Sequence, residues 1–294
     1  MLNTNLFMNL YSPEKIKSIL KESNLAVLKQ LGQHFLVDEE ILAKIARAAD
    51  LNKKDVVVEI GPGLGILTRE LALRCREVIA IEKDKKMAEL LKKNMGRFKN
   101  VEIIEGDILK RTTASFNDIK TSNSYKVVAN IPYYITSPIL KLFLESSVKP
   151  KEMILLIQKE VAERICAAPG KLSILALSVQ IYGEPKIIGF VSKNSFWPVP
   201  KVDSAILKIS GIKSAAEIEK NLKFEKASLK SLFRIIKIGF SSKRKKLANN
   251  LSGGLNLEKS KVLEIFEELK INKNSRAQEL TLKEWADLTV SING

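Results

Sequence analysis

The residues Asn130, Pro132 and Tyr133 place an amide, a rigid turn and an aromatic ring close together in the chain. They follow an apolar run, 127–129, with the pattern of a short buried strand, and Pro132 prevents further ladder pairing, so the strand is predicted to end here. The amide oxygen can accept a hydrogen bond from an amino group, and the ring can stack on a flat base. Together they predict a binding place for an extruded adenine. The alternative is an ordinary strand end with a proline turn, in which the tyrosine packs in the core.

Upstream, a strand, a glycine-rich turn and a helix form a unit suited to carrying a nucleotide. Residues 55–60 have the pattern of a fully buried strand, and the turn after them contains Gly61, Gly63 and Gly65 before a helix predicted over 66–74. Glycine in such a turn lets the backbone approach a ligand closely. The turn differs from the dehydrogenase fingerprint, because its third glycine comes two residues after the second instead of three.

Acidic residues stand at the ends of the next two predicted strands. The strand 77–81 ends at Glu82, about twenty residues past the glycine turn, where a carboxylate can hold ribose hydroxyls. The strand 101–104 is followed by Asp107, which suits an adenine amino group or a similar donor. Strands that alternate with helices predict an α/β fold with a parallel, doubly wound sheet, whose binding crevice lies at the carboxyl ends of the strands.

The composition predicts a polyanionic partner and a cytoplasmic location. The net charge of +16 favours nucleic acid, although a lysine-rich proteome would produce the same excess. No apolar run approaches the roughly 20 residues that span a bilayer, the N-terminus lacks a signal-peptide pattern, and two cysteines cannot form a disulfide framework. The single histidine, His34, argues against a His-based metal site or a Ser-His-Asp triad. We therefore predict neither a membrane partner nor a metal.

The part of the chain after about residue 212 is predicted to be helical and strongly basic. One helix face is apolar, and basic residues lie about a quarter turn from it and beyond the helix end near Gly239. The residues predicted to contact RNA phosphates are Lys226, Lys230, Arg234, Lys237, Lys243, Arg244, Lys245 and Lys246. The alternative is a solvated helix flank, which is the usual role of a charge run.

Taken in order, these motifs resemble one family, the bacterial small-subunit rRNA adenine dimethyltransferases of the KsgA type, with the eukaryotic dimethyltransferases and the Erm enzymes as relatives. The resemblance runs from about residue 12 to 288. It depends on the order and spacing of seven pieces: 31–36, 59–63, Glu82, 106–107, 130–133, 196–204 and 240–251.

The resemblance implies a class I methyltransferase fold, Rossmann-like, with a mostly parallel sheet, an antiparallel final strand and a small all-helical C-terminal domain. It implies an N-terminal helical extension over 1–30, a catalytic domain over 31–211 and an rRNA-binding domain over 212–294. The expected reaction is S-adenosylmethionine-dependent dimethylation of two adjacent adenosines in a hairpin loop near the 3′ end of 16S rRNA. The expected partner is 16S rRNA within a late small-subunit precursor, and the expected state is a monomer.

The resemblance also assigns roles to residues. The expected donor-binding residues are His34, Leu36, Gly61, Gly63, Glu82, Asp107, Ile108 and Asn130. Asn130 would touch both donor and target, and it is grouped as catalytic with Pro132, Tyr133 and Phe196. Hydrogen bonds from the target amine to Asn130 and to a backbone carbonyl at 131–132 would localise the nitrogen lone pair, while Tyr133 and Phe196 would clamp the base. Position 34 is often Asn in this family, so the charge state of His34 becomes a variable.

Three other functions remain open from the sequence. A nucleic-acid-binding protein that kept the fold and lost catalysis is disfavoured by the intact stretch 130–133. A DNA adenine methylase would normally carry a separate sequence-reading domain. An Erm-like enzyme acting on large-subunit rRNA is separated only by resemblance.

Overall fold

The protein consists of two compact units. The computed structural model describes residues 11–25, 32–110, 125–224 and 227–293. The first unit comprises Met1–Ala162 and Lys186–Ile212, and the second comprises Glu163–Pro185 and Lys213–Gly294. This grouping differs from the domain boundaries expected from the sequence, because Glu163–Pro185 lies with the C-terminal helices and not in the expected catalytic domain.

The first unit is built on a seven-stranded sheet. Its strands are β2 (Val56–Ile60), β3 (Glu77–Glu82), β4 (Val101–Glu105), β5 (Lys126–Asn130), β6 (Glu152–Gln158), β7 (Glu184–Val191) and β9 (Ser204–Ser210), and a separate pair consists of β1 (Phe35–Leu36) and β8 (Phe196–Trp197). The strand order is β4-β3-β2-β5-β6-β9-β7. Strands β2 to β6 pair in parallel, and β9 is antiparallel to β6. The predicted fold class, with its antiparallel final strand, is confirmed.

Helices alternate with the strands of the first unit, and short polar residues cap some of them. The helices are α1 (Pro13–Glu22), α2 (Glu39–Ala48), α3 (Ile66–Arg74), α4 (Lys85–Met95), α5 (Thr136–Leu144) and α6 (Lys159–Ile165). The side chains of Ser12 and Asp38 cap α1 and α2 by accepting backbone N–H groups. Helix α1 ends at Glu22, and residues 1–10 and 26–30 of the expected N-terminal extension lie outside the described residues.

The central strands of the sheet are buried on both faces, which explains why their sequences are continuous apolar runs. All five residues of β2 are buried, and the apolar run 127–129 in β5 is at most 1% exposed. Parallel strands covered on both faces have continuous apolar runs instead of alternation. The polar residues at the ends of these strands therefore mark the points where the strands leave the core.

The second unit is helical. Its helices are α7 (Ile174–Gln180), α8 (Ala215–Asn221), α9 (Leu229–Gly239), α10 (Leu247–Leu255), α11 (Lys259–Glu268) and α12 (Leu282–Asn293). Contacts distant in sequence bring α7 into this unit. The ring of Tyr182 stacks on Phe233 with centroids 6.1 Å apart, and the N–H of Gly170 donates to the carbonyl of Gln278 at 2.8 Å.

Candidate active site

One cavity lies at the carboxyl ends of β2, β3 and β5 and continues to the residues that follow β4. Every residue expected to bind the donor lines it: His34, Leu36, Gly61, Gly63, Glu82, Asp107, Ile108 and Asn130. Pro132 and Tyr133 line it as well. The fold therefore brings together five segments that are separated by up to about a hundred residues of sequence, as the strand-end argument predicts.

The glycine turn presents bare backbone to the cavity. Gly61 and Gly63 have φ angles of +65° and +56°, a region that side-chain-bearing residues adopt with strain. A Cβ atom at Gly63 would lie 3.3 Å from Cε1 of Phe35. Both the backbone conformation and the space therefore favour glycine at this position.

Glu82 ties the glycine turn to the end of β3. Its Oε2 accepts the N–H of Gly63 at 3.2 Å, and its Oε1 accepts the N–H of Asp84 at 2.9 Å. Burial raises the pKa of Glu82, and these two N–H groups act in the opposite direction. Each oxygen keeps a further lone pair for a ligand. The side chain can therefore support the turn and bind a hydroxyl at once.

Asp107 is paired with a residue that the sequence analysis did not identify. Its Oδ2 lies 3.0 Å from Nζ of Lys83, which also lines the cavity, and its Oδ1 accepts the N–H of Leu109 at 3.0 Å. Burial alone would raise the pKa of Asp107, but the hydrogen bonds from Lys83 and Leu109 outweigh it and leave that pKa below its usual value. The carboxylate is thus held ionised at the rim.

Glu59 is a second cavity residue to which the sequence analysis assigned no individual role. It is the polar residue within the apolar strand β2, it lines the cavity, and it is 1% exposed. Its Oε2 accepts no hydrogen bond from the described part of the chain. Burial raises the pKa of Glu59 to about 8. The sequence did contain a signal for this residue, because Glu59 is a single acidic residue in a strand whose other residues are all aliphatic.

The amide of Asn130 has a defined orientation. Its Nδ2 donates to the backbone carbonyl of His34 at 3.1 Å. Because a carbonyl can only accept, the amide nitrogen must occupy this position, and Oδ1 is left as the acceptor. Asn130 is the last residue of β5 and lines the cavity, so an acceptor is available at the predicted place.

Tyr133 is held by two neighbours. Its ring stacks on the His34 ring with centroids 5.9 Å apart and 23° between the planes, and its Oη lies 2.7 Å from Oγ of Ser204. Nδ1 of His34 lies 2.7 Å from the carbonyl of Pro198, which places the ring proton on Nδ1. Three separate segments of the chain therefore meet at this ring.

Phe196 is not brought to the cavity. It is 2% exposed and belongs to the hydrophobic cluster that contains Leu36 and Val128. Strand β8 pairs with β1, with Phe196 opposite Leu36, and this pairing directs the ring into the core. The expectation that Phe196 clamps the base is not met in this arrangement.

The predicted phosphate-contacting residues form what we call the basic surface of the second unit. Lys230, Arg234 and Lys237 lie on α9, and the run 243–246 follows the end of that helix; all seven side chains are exposed. Lys226 lies outside the described residues. The apolar face of α9 is buried, as predicted, through Leu229, Leu232 and Ile236.

The described residues lack a metal-ligand cluster and a helix that could span a membrane. They contain no group of three or more His, Cys, Asp or Glu side chains placed to hold a metal ion. None of their helices combines the length and apolarity needed to cross a membrane.

Solved structures with the same arrangement are methyltransferases. A crystal structure of the 23S rRNA methyltransferase ErmE has a TM-score of 0.68 and 25% sequence identity, covering 88% of this chain and 100% of that one. A crystal structure of a dimethyladenosine transferase from Plasmodium falciparum has a TM-score of 0.69 and 27% identity, covering 85% and 94%. The fold and the cavity define an S-adenosylmethionine-dependent methyltransferase of the Rossmann-like class.

Sequence comparison narrows this class. The model of the family described as ribosomal RNA adenine dimethylase matches residues 24–293. A protein named ribosomal RNA small subunit methyltransferase A from Dehalococcoides mccartyi is 39% identical over 278 residues, which are 95% of this chain and 92% of that protein. One of the same name from Enterococcus faecalis is 37% identical, with 97% of each chain covered. The chain belongs to the ribosomal RNA adenine dimethylase family, and the family resemblance seen in its motifs is confirmed.

Proposed function

We propose that the protein dimethylates the exocyclic amines of two adjacent adenosines in a hairpin loop near the 3′ end of 16S rRNA. It acts as a cytoplasmic monomer on a late precursor of the small ribosomal subunit. The observation that carries the proposal is the Asn130 amide, which the His34 carbonyl orients at the end of β5 in a cavity also lined by Glu82 and Asp107. The small-subunit relatives and the net charge of +16 support an rRNA substrate.

The cavity residues fit S-adenosylmethionine. This donor carries an ammonium and a sulfonium group, and the buried Oε2 of Glu59, which has no hydrogen-bond partner among the described residues, would complement a cation. Glu82 would accept from the ribose hydroxyls, and Asp107 from the amino edge of the adenine. The side chains of Leu36 and Ile108 would supply apolar walls. When bound, the donor supplies an electrophilic methyl group on its sulfur.

The target amine would be received by Asn130. The nitrogen is a poor nucleophile, because its lone pair is delocalised into the ring. Hydrogen bonds from its N–H groups to Oδ1 of Asn130 and to a backbone carbonyl at 131–132 would localise that lone pair and stabilise the positive charge that develops in the transition state. A strong base is unnecessary, since the proton becomes acidic once the methyl group is attached. Tyr133 would stack on the base, a contact worth about 1–3 kcal/mol.

A large-subunit rRNA target is the second candidate, because the ErmE structure shares the fold over 88% of this chain. The two targets are separated by one experiment. Purified protein and labelled donor are incubated with small-subunit and large-subunit particles that lack the modification, and the modified bases are mapped by primer extension. We expect two adjacent dimethylated adenosines in the small-subunit RNA alone. Methylation of the large-subunit RNA alone, or of neither RNA, would contradict the proposal.

A further inference from the structure

The segment 196–204 does not line the cavity, but it contacts two residues that do, Tyr133 and His34. Ser204 is the first residue of β9 and is fully buried, paired in register with Gln158 of β6. Its hydroxyl lies 2.7 Å from the hydroxyl of Tyr133, whose ring lines the cavity. A rigid strand is therefore joined to the far end of the aromatic ring.

The same segment also restrains the face of that ring, through the side chain of His34. The carbonyl of Pro198 accepts the Nδ1–H of His34 at 2.7 Å, and the His34 ring stacks on Tyr133. The ring is thus restrained at its hydroxyl end by Ser204 and on its face by His34. Both restraints come from groups that are themselves held in place, Ser204 by its strand and His34 by Pro198.

We propose that Ser204 is a positioning residue for the methyl transfer, which sets the plane of the Tyr133 ring against which the target adenine stacks. His34, held by Pro198, is the second positioning residue. The inference rests on the proposed function.

The chemistry of the Tyr133 ring supports separate roles for its face, which stacks on the base, and its hydroxyl, which positions the ring. Stacking uses the π face, which a phenylalanine would supply equally well, so the hydroxyl of Tyr133 has a different use. The χ2 torsion of an aromatic side chain has a broad energy profile, and a hydrogen bond at Oη narrows it. A base displaced by about 1 Å from the reactive geometry reacts about 10²-fold more slowly. A modest change in ring position therefore lowers the rate of transfer.

The test is a double-mutant cycle with Ser204→Ala, Tyr133→Phe and the combined variant, assayed for kcat and KM on small-subunit particles. Each single substitution removes the same hydrogen bond, so each should lower kcat about 10-fold, and the combined variant should lose no more than either one. Donor affinity, measured by calorimetry, should stay within about twofold of wild type. The matched control is Ser146→Ala, which removes another buried hydroxyl that accepts a backbone N–H, from Val148, away from the cavity lining. It should leave kcat unchanged.

Two results would overturn the inference. In the first, Ser204→Ala lowers kcat as strongly in the Tyr133→Phe background as in the wild type, so that the serine acts by another route. In the second, Tyr133→Phe retains wild-type kcat; this variant keeps the buried serine, so it decides the question even where Ser204→Ala fails to fold. Wild-type turnover on the particles tests the proposed function separately.

Discussion

The cavity of the first unit and the basic surface of the second unit use charge in opposite ways. In the cavity, Glu59 and Glu82 are almost fully buried, and burial raises the pKa of both. On the basic surface, all seven described side chains are exposed. A buried charge changes free energies by several kcal/mol, whereas an exposed one contributes tenths. We therefore expect single substitutions in the cavity to change stability or activity strongly. We expect RNA binding by the basic surface to change only when several charges are removed together.

The largest effect is expected from Glu59→Gln, measured as the free energy of unfolding without donor. The pKa of Glu59 in the folded protein is about 8, above the ordinary 4.5. Ionising this carboxyl therefore opposes folding, so wild-type stability falls as the pH rises from about 4.5 to 8 and is level above that range. The fall corresponds to at most about 5 kcal/mol. Glutamine cannot ionise, so the variant should be more stable than wild type at pH 9 and lose this pH dependence.

Urea unfolding of both proteins at pH 5, 7 and 9 gives the answer. Glu105→Gln serves as the control, because Glu105 is exposed at the end of β4 and does not line the cavity. Parallel stability curves for wild type and Glu59→Gln across this range would show that Glu59 does not carry a buried, costly charge.

The next effect is expected from Asn130→Ala, measured as kcat. The substitution removes the acceptor for the target amine, so kcat should fall about 10²–10³-fold, while the fold and RNA binding stay near wild type. Asn100→Ala is the matched control, because it also removes an amide that donates to a backbone carbonyl, that of Ala72, away from the cavity lining. A wild-type kcat in Asn130→Ala would show that another group accepts the hydrogen bond from the target amine.

A smaller effect is expected from Glu82→Ala, measured as donor affinity by calorimetry. Loss of hydrogen bonds to a charged group should weaken binding by about 1.5–3 kcal/mol. Glu105→Ala is again a suitable control, since Glu105 pairs with Glu82 in register but lies outside the cavity lining. Equal donor affinity in wild type and Glu82→Ala would exclude Glu82 from the donor site.

The smallest effect per residue is expected on the basic surface. Replacing Lys243, Arg244, Lys245 and Lys246 together with Gln should weaken binding to small-subunit particles without changing which adenosines are modified, because phosphate contacts do not specify sequence. Each lost contact should flatten the plot of log affinity against log salt by about one unit. Folding stability should change by no more than about 0.5 kcal/mol.

The control for this experiment is a second quadruple variant of the same unit. Lys259, Lys261, Lys270 and Lys273 are also exposed and outside the predicted contact set. The slope should change only for the first variant. Identical slopes for the wild type and the 243–246 variant would mean that this run is a solvated surface.

The sequence predicted the parts of the fold that depend on near neighbours. The buried strand over 127–129 and the glycine turn after β2 follow from the properties of residues a few positions apart, and the structure has both of them. The cavity lining was predictable for a similar reason, because the carboxyl ends of parallel strands must share one edge of the sheet.

The sequence could not predict contacts that depend on the packing of distant segments. Tyr133 and Ser204 are 71 positions apart, and no periodicity connects them. The family resemblance assigned Phe196 to the base clamp, but its pairing opposite Leu36 buries it. Lys83 pairs with Asp107 across two strand ends. In each case the decisive partner belongs to another element.

The bond between Asn130 and His34 bears on how position 34 can vary in evolution. The bond uses the main-chain carbonyl of His34, so it does not depend on which side chain that residue carries. An asparagine at position 34 would leave the Asn130 amide in the same orientation and would change only the stacking against Tyr133 and the link to Pro198. Mutations at this position can therefore adjust how firmly the aromatic platform is held while the group that receives the amine is preserved.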